Sequence, residues 1–581
     1  MTRGPGPGGR KKTGGDETGA VVKSWKNRIS VALAYPNVYG VGMPNLGFQA
    51  VYSQLNALDH VVCERAFLSG SGSGPRALES GRPLADFDII AFSVSFENDF
   101  VHIPMMLNAA GIPLYSRRRD RPLPLVMAGG VACLLNPEPL ADFMDCFLIG
   151  ESEALLKPFF NRYDPSLDRR ALLADLARHV SGLYVPSFYQ VSRQSDGSIK
   201  KIAPIADVPP RVRRMVKADI ADEPVRSVVL SSGSAFGRMF LVEASRGCFR
   251  GCRFCAAGFA GRPPRFFSFS ALEKAIKEGA RKSDRVGLVG AALSDFKDMD
   301  RLGRLAAREG VRLSFSSLRA DSIDDRLADL LRENGVKTAV IAPEAGSERM
   351  RRVINKGMDE SDILSAAETF AGRGVLNLKL YFMTGLPTEE PGDAAAIVDL
   401  CRRVRERFAD ASREKGRMGS VTVSLNPFVP KPLTPFQWAP APGVADMKKK
   451  IRAISNGLRA VPNIRIHGNS PREAHVQALL SRGDRRTSKA LEMAAGEGGK
   501  WTRVLAGLKS DKGPRVVRER GPEERFPWEI IDSGLDRDFL RREYEKALAG
   551  RASPPCPMTD CDLCARGCMS ENIFKKNGLK P

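Results

Sequence analysis

The chain contains no run of 18 apolar residues, so no segment reads as a membrane span. The first 25 residues lack the apolar core of a secretory leader. They begin MTRGPGPGGRKKTGGDETGA, a Gly/Pro/Lys-rich tail that cannot bury a core and is expected to be disordered. A cytoplasmic location is the resulting expectation. A reducing compartment in turn excludes a disulfide framework for the 11 cysteines. Four of them, Cys63, Cys133, Cys146 and Cys401, are scattered and read as small core hydrophobes. The other seven fall in two tight clusters, which in a large chain points to metal.

The 581 residues are 43% hydrophobic and 27% charged, the balance of a globular protein with room for two to four domains. Lys and Arg number 89 against 67 Asp and Glu, a net charge of +22. Such an excess favours polyanions, RNA above all; the competing reading is an arginine-rich composition spread over a solvated surface. The denser basic stretches are 117–121, 211–217 and 515–520.

Apolar runs near 28–36, 61–68, 87–96, 124–132 and 143–149 alternate with helical stretches, including one at 46–57. Five strands in that rhythm predict a doubly wound parallel domain over 26–160, following the tail at 1–25. Its strand-end loops, 35–43, 93–98, 128–131 and 150–153, would line one crevice. Residues 161–235 read as a connector with a helix near 169–180 and a hairpin turning at Ser195–Asp196–Gly197. From 236 to 440 the strand–helix alternation restarts. Strands are predicted at 239–245, 286–292, 312–318, 337–343, 376–384 and 420–428, six units of a partial (β/α)6 TIM-like barrel with its chemistry at the strand C-terminal ends. Amphipathic helices near 444–460 and 471–494 form a helical extension over 441–500. Residues 501–581 are basic and end in the second cysteine cluster.

The first cluster is Cys248, Cys252 and Cys255, directly after the first barrel strand. Thiolates at this spacing can hold three irons of a cubane 4Fe–4S cluster and leave the fourth iron open to chelate a small molecule. A structural zinc site would want a fourth ligand, and none lies nearby in sequence. Gly247 and Gly251 let the loop wrap closely, and Arg246, Arg250 and Arg253 are expected to favour the anionic cluster.

The motif at 248–255 resembles that of the radical S-adenosylmethionine superfamily, and about 190 further residues follow in the matching order. The resemblance implies that the open iron takes the amino and carboxylate groups of S-adenosylmethionine, and that one-electron cleavage of a C–S bond starts radical chemistry. It implies that Phe254 covers the cluster and flanks adenine. Gly290 and Ala291 stand at the glycine-rich turn that meets the methionine amino group. The usual acidic residue is missing from that turn; Asp295 follows a little later. Ser316, Ser317 and Arg319 after the third strand, and Glu344, Ser347 and Arg349 after the fourth, are candidates for ribose and carboxylate. Ser347 also reads as a helix N-cap. Lys379 would face the cavity, and Gly385, Leu386 and Pro387 resemble the adenine-contacting turn. The segment 424–438 would close the barrel, with Asn426, Lys431 and Gln437 toward substrate. An electron donor such as flavodoxin or ferredoxin is the implied partner.

The domain order is similar to the class with an N-terminal cobalamin-binding-like domain. Only five histidines occur, His60, His102, His179, His467 and His475, and none stands in an Asp-x-His-x-x-Gly arrangement. Cobalamin binding, a degenerate domain and a substrate-binding domain are therefore all compatible with the residues.

The second cluster is Cys556, Cys561, Cys564 and Cys568. Four thiols in thirteen residues satisfy either a second iron–sulfur cluster or a zinc site. The expected function is radical modification of an unactivated carbon by methylation, sulfur insertion or rearrangement, a transferase acting on RNA or a ribonucleoprotein, with RNA or the ribosome as partner. The alternatives are a radical enzyme of small-molecule or lipid metabolism and a non-catalytic iron–sulfur protein that binds nucleic acid.

Overall fold

The computed structural model describes residues 16–70, 74–120, 123–291, 293–315, 318–413, 416, 419–508, 517–558, 561 and 563–564. No helix among them is long and apolar enough to cross a membrane.

Strand β1 (Ile29–Tyr35) carries one polar residue in seven and forms the middle of a sheet with β2 (Val61–Phe67), β3 (Ile89–Ser93), β4 (Leu125–Gly129), β5 (Cys146–Leu148) and β6 (Leu183–Tyr184). The order is β2-β1-β3-β4-β5-β6, parallel except for β6. This is the doubly wound order whose strands reverse direction of travel between β1 and β3, opening a crevice at their C-terminal ends. Every residue of β2 is buried, including Glu64 and Arg65. Both side chains are hydrogen-bonded: Glu64 accepts from Trp25 Nε1 at 2.7 Å, and Arg65 is held by Glu79 and Glu17, each at 2.7 Å. Glu17 and Trp25 belong to the segment expected to be a disordered tail. Residues 16–25 are instead bound across both halves of the molecule, with Thr18 bridging Leu230. Residues 1–15 lie outside the described residues.

The hairpin β7 (Tyr189–Arg193) and β8 (Ile199–Pro204) turns at Gly197, φ +84°, as expected. Strand β9 (Val212–Arg213) pairs with a strand from the far end of the chain, β19 (Ile531–Asp532).

The second domain runs through β10 (Phe240–Glu243), β13 (Arg285–Val289) and β14 (Arg312–Phe315), then β15 (Thr338–Glu344), β16 (Asn377–Thr384) and β17 (Ser420–Pro427), all six parallel and in the predicted order. A bridge from Leu318 to Ile341 joins the two runs. The short antiparallel pair β11 (Ser245–Arg246) and β12 (Arg265–Phe266) clamps the base of the cysteine loop. The sheet continues into a seventh strand, β18 (Ile464–Gly468), which the sequence reading missed. Arg465 and His467 on this edge strand are exposed, so the apolar signal that marks a buried parallel strand is absent.

The expected helix at 471–494 is two helices, Pro471–Arg482 and Thr487–Gly496. They part at Gly483, whose carbonyl is taken by Asn136 of the first domain. Val476, Leu480, Leu491 and Ala494 of this pair are buried in the first domain's core, so 471–500 is not a free-standing extension. The C-terminal region builds a separate aromatic core. Phe526 stacks on Trp528 at 4.7 Å and Trp438 on Tyr544 at 5.9 Å, beside Phe259 and Ile354 next to the cysteine loop.

Candidate active site

The cysteine loop leaves β11 through Gly247, at φ +72°, where a Cβ would lie 2.3 Å from the carbonyl of Gly261. At Gly251 a Cβ would meet Asn355 Nδ2 at 2.8 Å. The loop is thus folded on itself and on its neighbours more tightly than any side chain permits.

The backbone N–H of Cys255 donates to Cys252 O at 3.0 Å, which turns the three thiols into one neighbourhood. Burial pushes the Cys248 thiol up, and it pushes Cys255 up to about 11; in both, the Cys252 thiol adds to the rise. The expected source of compensating charge is not there. Arg246 is taken by Glu151 (2.9 Å), Glu153 (2.6 Å) and Glu243 (2.9 Å). Arg250 is paired with Asp295 at 2.5 Å and Asp321 at 3.4 Å. Arg253 has no exposed surface and is spent on Glu543, Ser553 and the carbonyls of Arg352 and Val353. These arginines build the scaffold and do not neutralise thiolates. Among the described residues no three His, Cys, Asp or Glu side chains close on a single ion. Three thiols whose neighbouring guanidiniums are all paired elsewhere fit a positively charged iron–sulfur core.

Two cavities flank this loop, and both lie between the domains. The larger, about 560 Å³, is lined by strand ends of the first domain (Ala91, Met127, Gly129, Gly130) and by Gly247, Gly290 and Ala291 of the second. Its walls are chiefly apolar. At its edge Glu151 bridges Arg246 and Arg265 (2.5 Å), joining the two domains. The smaller, about 460 Å³, is lined by Phe254, Met383, Asn426, Lys431, Phe96 and Asn98. Lys431 is neutralised by Glu97 at 2.6 Å, and Asn98 Oδ1 is buried with no partner among the described residues.

The predicted site residues divide. Phe254 borders the smaller cavity, and Gly290 and Ala291 border the larger. Arg319 pairs with Asp321 at 2.9 Å and lies within electrostatic reach of Cys252. Asp295 is more telling than its sequence position indicated. One of its oxygens holds Arg250; the other, Oδ2, is buried with no partner among the described residues, close enough for its charge to be felt by Cys248. Such an orphan acceptor beside the thiols fits a ligand ammonium group, the role left open by the missing acid near Gly290.

Others have different work. Ser347 caps the helix Glu348–Val353 and donates to Asp393 at 2.5 Å, and Arg349 is bound to the same carboxylate. Glu344, at φ +65°, is half-buried beside Lys356 at 3.4 Å, and desolvation holds its carboxyl above the ordinary range. Lys379 lies 4.7 Å over the Tyr381 ring. Gly385, Leu386 and Pro387 line neither cavity: Gly385 packs against Pro442 and Met447, and Leu386 joins the aromatic core. Gln437, expected to face substrate, is buried and accepts from Trp528 Nε1 at 2.9 Å. Ser316, Ser317 and Cys568 lie outside the described residues, whereas Cys556, Cys561 and Cys564 lie within them.

The crevice at the β1/β3 switch point and its apolar walls suit a flat macrocycle. No histidine lines the cavity, so any cobalt there would have no imidazole ligand from this chain.

Residues 47–186 match the family model described as radical SAM proteins, N-terminal, and residues 242–401 match the radical SAM superfamily. An uncharacterized protein of Methanocaldococcus jannaschii is 31% identical over 497 residues, 85% of this chain and 96% of that one. Among solved structures, the cobalamin-dependent S-adenosylmethionine radical enzyme OxsB is similar at 15% identity and a TM-score of 0.41, covering 64% of this chain and 51% of that one. Coproporphyrinogen III oxidase of Escherichia coli is similar at 17% identity and a TM-score of 0.29, covering 38% and 51%. The chain thus spans about half the length of each of these two solved chains. Family membership implies a 4Fe–4S cluster and S-adenosylmethionine as cofactors, and the three thiols fit the cluster. The chain belongs to the radical S-adenosylmethionine superfamily of enzymes.

Proposed function

We propose that the protein is a group transferase that modifies an unactivated carbon, with a corrin in the larger cavity as its second cofactor. The observation that carries this reading is the shared cavity, in which the C-terminal strand ends of both domains face one apolar chamber. When bound, the cluster and S-adenosylmethionine supply a 5′-deoxyadenosyl radical and the corrin supplies a transferable alkyl group. The chain's own residues do the rest. Cys248, Cys252 and Cys255 hold the irons. Asp295 orients the methionine end by accepting from its ammonium group. Phe254 covers the adenosyl side at the smaller cavity. The apolar walls exclude water from reacting atoms.

Protein reconstituted anaerobically and mixed with hydroxocobalamin is expected to retain one corrin per chain through gel filtration, read from its visible spectrum. Met127→Trp, which fills the cavity, should lose the corrin and keep the iron. A wild-type chain that retains none would end the corrin assignment. Asp295→Asn should weaken S-adenosylmethionine binding about 10- to 100-fold by equilibrium dialysis, the effect of losing one charge-assisted hydrogen bond. Unchanged affinity would remove Asp295 from the site.

Polyanion binding is a second proposal, outside the cavity. The cavity-edge guanidiniums Arg246 and Arg265 are already bound by carboxylates, while the chain as a whole carries +22. RNA retention that falls steeply with salt is the expected result.

A further inference from the structure

The C-terminal segment reaches the first cysteine loop at Cys556. The backbone N–H of Cys556 donates to the carbonyl of Phe249 at 2.7 Å, and Phe249 directly follows Cys248. Asn355 ties the two segments together: its Nδ2 donates to Gly251 O at 3.1 Å, and its Oδ1 accepts from the Ser553 N–H at 2.9 Å. Arg253, between Cys252 and Cys255, is gripped from the same side by Glu543 and Ser553. Cys564 is buried, and its carbonyl accepts from the Asp536 N–H at 2.9 Å, which seats it at the start of the helix Arg537–Leu548. The Cys561 and Cys564 thiols both lie within electrostatic reach of Cys556. Cys556, Cys561 and Cys564 line neither cavity.

A metal that only pinned the tail would be redundant there. The aromatic core of Trp438, Phe526, Trp528 and Tyr544 and the pairing of β19 with β9 already anchor the C-terminal region. What those anchors do not explain is why Cys556 is seated on the backbone next to Cys248. We infer that Cys556, Cys561 and Cys564 hold a second iron–sulfur centre that passes electrons to the cluster at Cys248, Cys252 and Cys255. A reduced one-electron carrier of the flavodoxin or ferredoxin class gives up one electron. The second centre gains it and loses it to the first cluster, so the carrier ends oxidised by one, the first cluster reduced by one, and no bond forms or breaks.

The test uses the full chain reconstituted anaerobically. Wild type should carry about eight irons and no zinc, and the double variant Cys561→Ala/Cys564→Ala about four. The triple variant Cys248→Ala/Cys252→Ala/Cys255→Ala should keep the second centre's EPR signal, which S-adenosylmethionine does not perturb. With reduced flavodoxin as donor, 5′-deoxyadenosine formation by the double variant should fall on the order of tenfold, while with dithionite it should match wild type. Zinc in place of iron at these cysteines, or an equal loss with both reductants, would overturn the relay. Failure of the radical assignment reads differently, as no 5′-deoxyadenosine from wild type with either donor.

Discussion

Cys252→Ala is expected to abolish S-adenosylmethionine cleavage, lowering 5′-deoxyadenosine formation by a thousandfold or more, which is about 4 kcal/mol or more of lost catalysis. The reason lies in how little else the loop offers. Removing one thiolate leaves an iron without its protein sulfur ligand, and the three arginines around the thiols, bound to carboxylates or carbonyls, cannot take its place. Cys252 is 8% exposed, so water is a poor substitute. The backbone bond from Cys255 N to Cys252 O survives in alanine, and the fold should persist. Iron content should fall by about four per chain with an unchanged far-ultraviolet circular dichroism spectrum. Cys252→Ser, with an oxygen of similar reach, should recover little. A variant that keeps making 5′-deoxyadenosine would sink the assignment of Cys252 as a ligand.

That prediction could be made from sequence because cluster ligation is a local problem: three thiols, their spacing and the glycines between them lie in one short segment. The strands were legible for a related reason. Runs such as ISVALAY and NLKLYFMT bury one or both faces, and the apolar signal is strong. Legibility stopped where a side chain's partner is distant in sequence. Arg253 and Glu543 are 290 residues apart, and nothing near Arg253 announces that its charge is spent. Ser347 fitted two roles until Asp393, 46 residues on, was placed against its hydroxyl. Gln437 looked like a substrate contact because polar residues in an aromatic segment usually face a site. Its real partner, Trp528 Nε1, is 91 residues away. Asp295 shows the converse, since its orphan oxygen beside the thiols could be seen only once β13 and the cysteine loop had been brought together.

Glu151→Ala is expected to be the most destabilising single change at the domain interface. Glu151 follows β5 and accepts from Arg265 at 2.5 and 3.0 Å, from Arg246 at 2.9 Å and from the Lys217 N–H at 3.0 Å. Arg265 is 2% exposed and Arg246 13%. Removing the carboxylate strands the buried Arg265, whose one carboxylate partner it is, while Arg246 keeps Glu153 and Glu243, a loss of about 3 kcal/mol by analogy with other broken buried pairs. The urea midpoint should drop, and the larger cavity should open, since the same bridge closes its edge. Burial opposes ionisation of Glu151, yet the Arg265 hydrogen bond and the charges of Arg265 and Arg246 hold its carboxyl below the ordinary value of 4.5. Its stabilisation is therefore complete above pH 4.5 and is lost as pH falls through the lower value in the folded chain. Glu243, on the same arginine, goes the other way. Burial pushes its carboxyl above 4.5 despite Arg246, so its contribution is full below 4.5 and fades as pH rises through the raised value. Glu151→Gln should flatten the acid side of the stability profile below pH 4.5, and Glu243→Gln should flatten the slope just above it. If urea midpoints measured across that range show the same acid slope in Glu151→Gln as in wild type, the bridge does not hold the domains together.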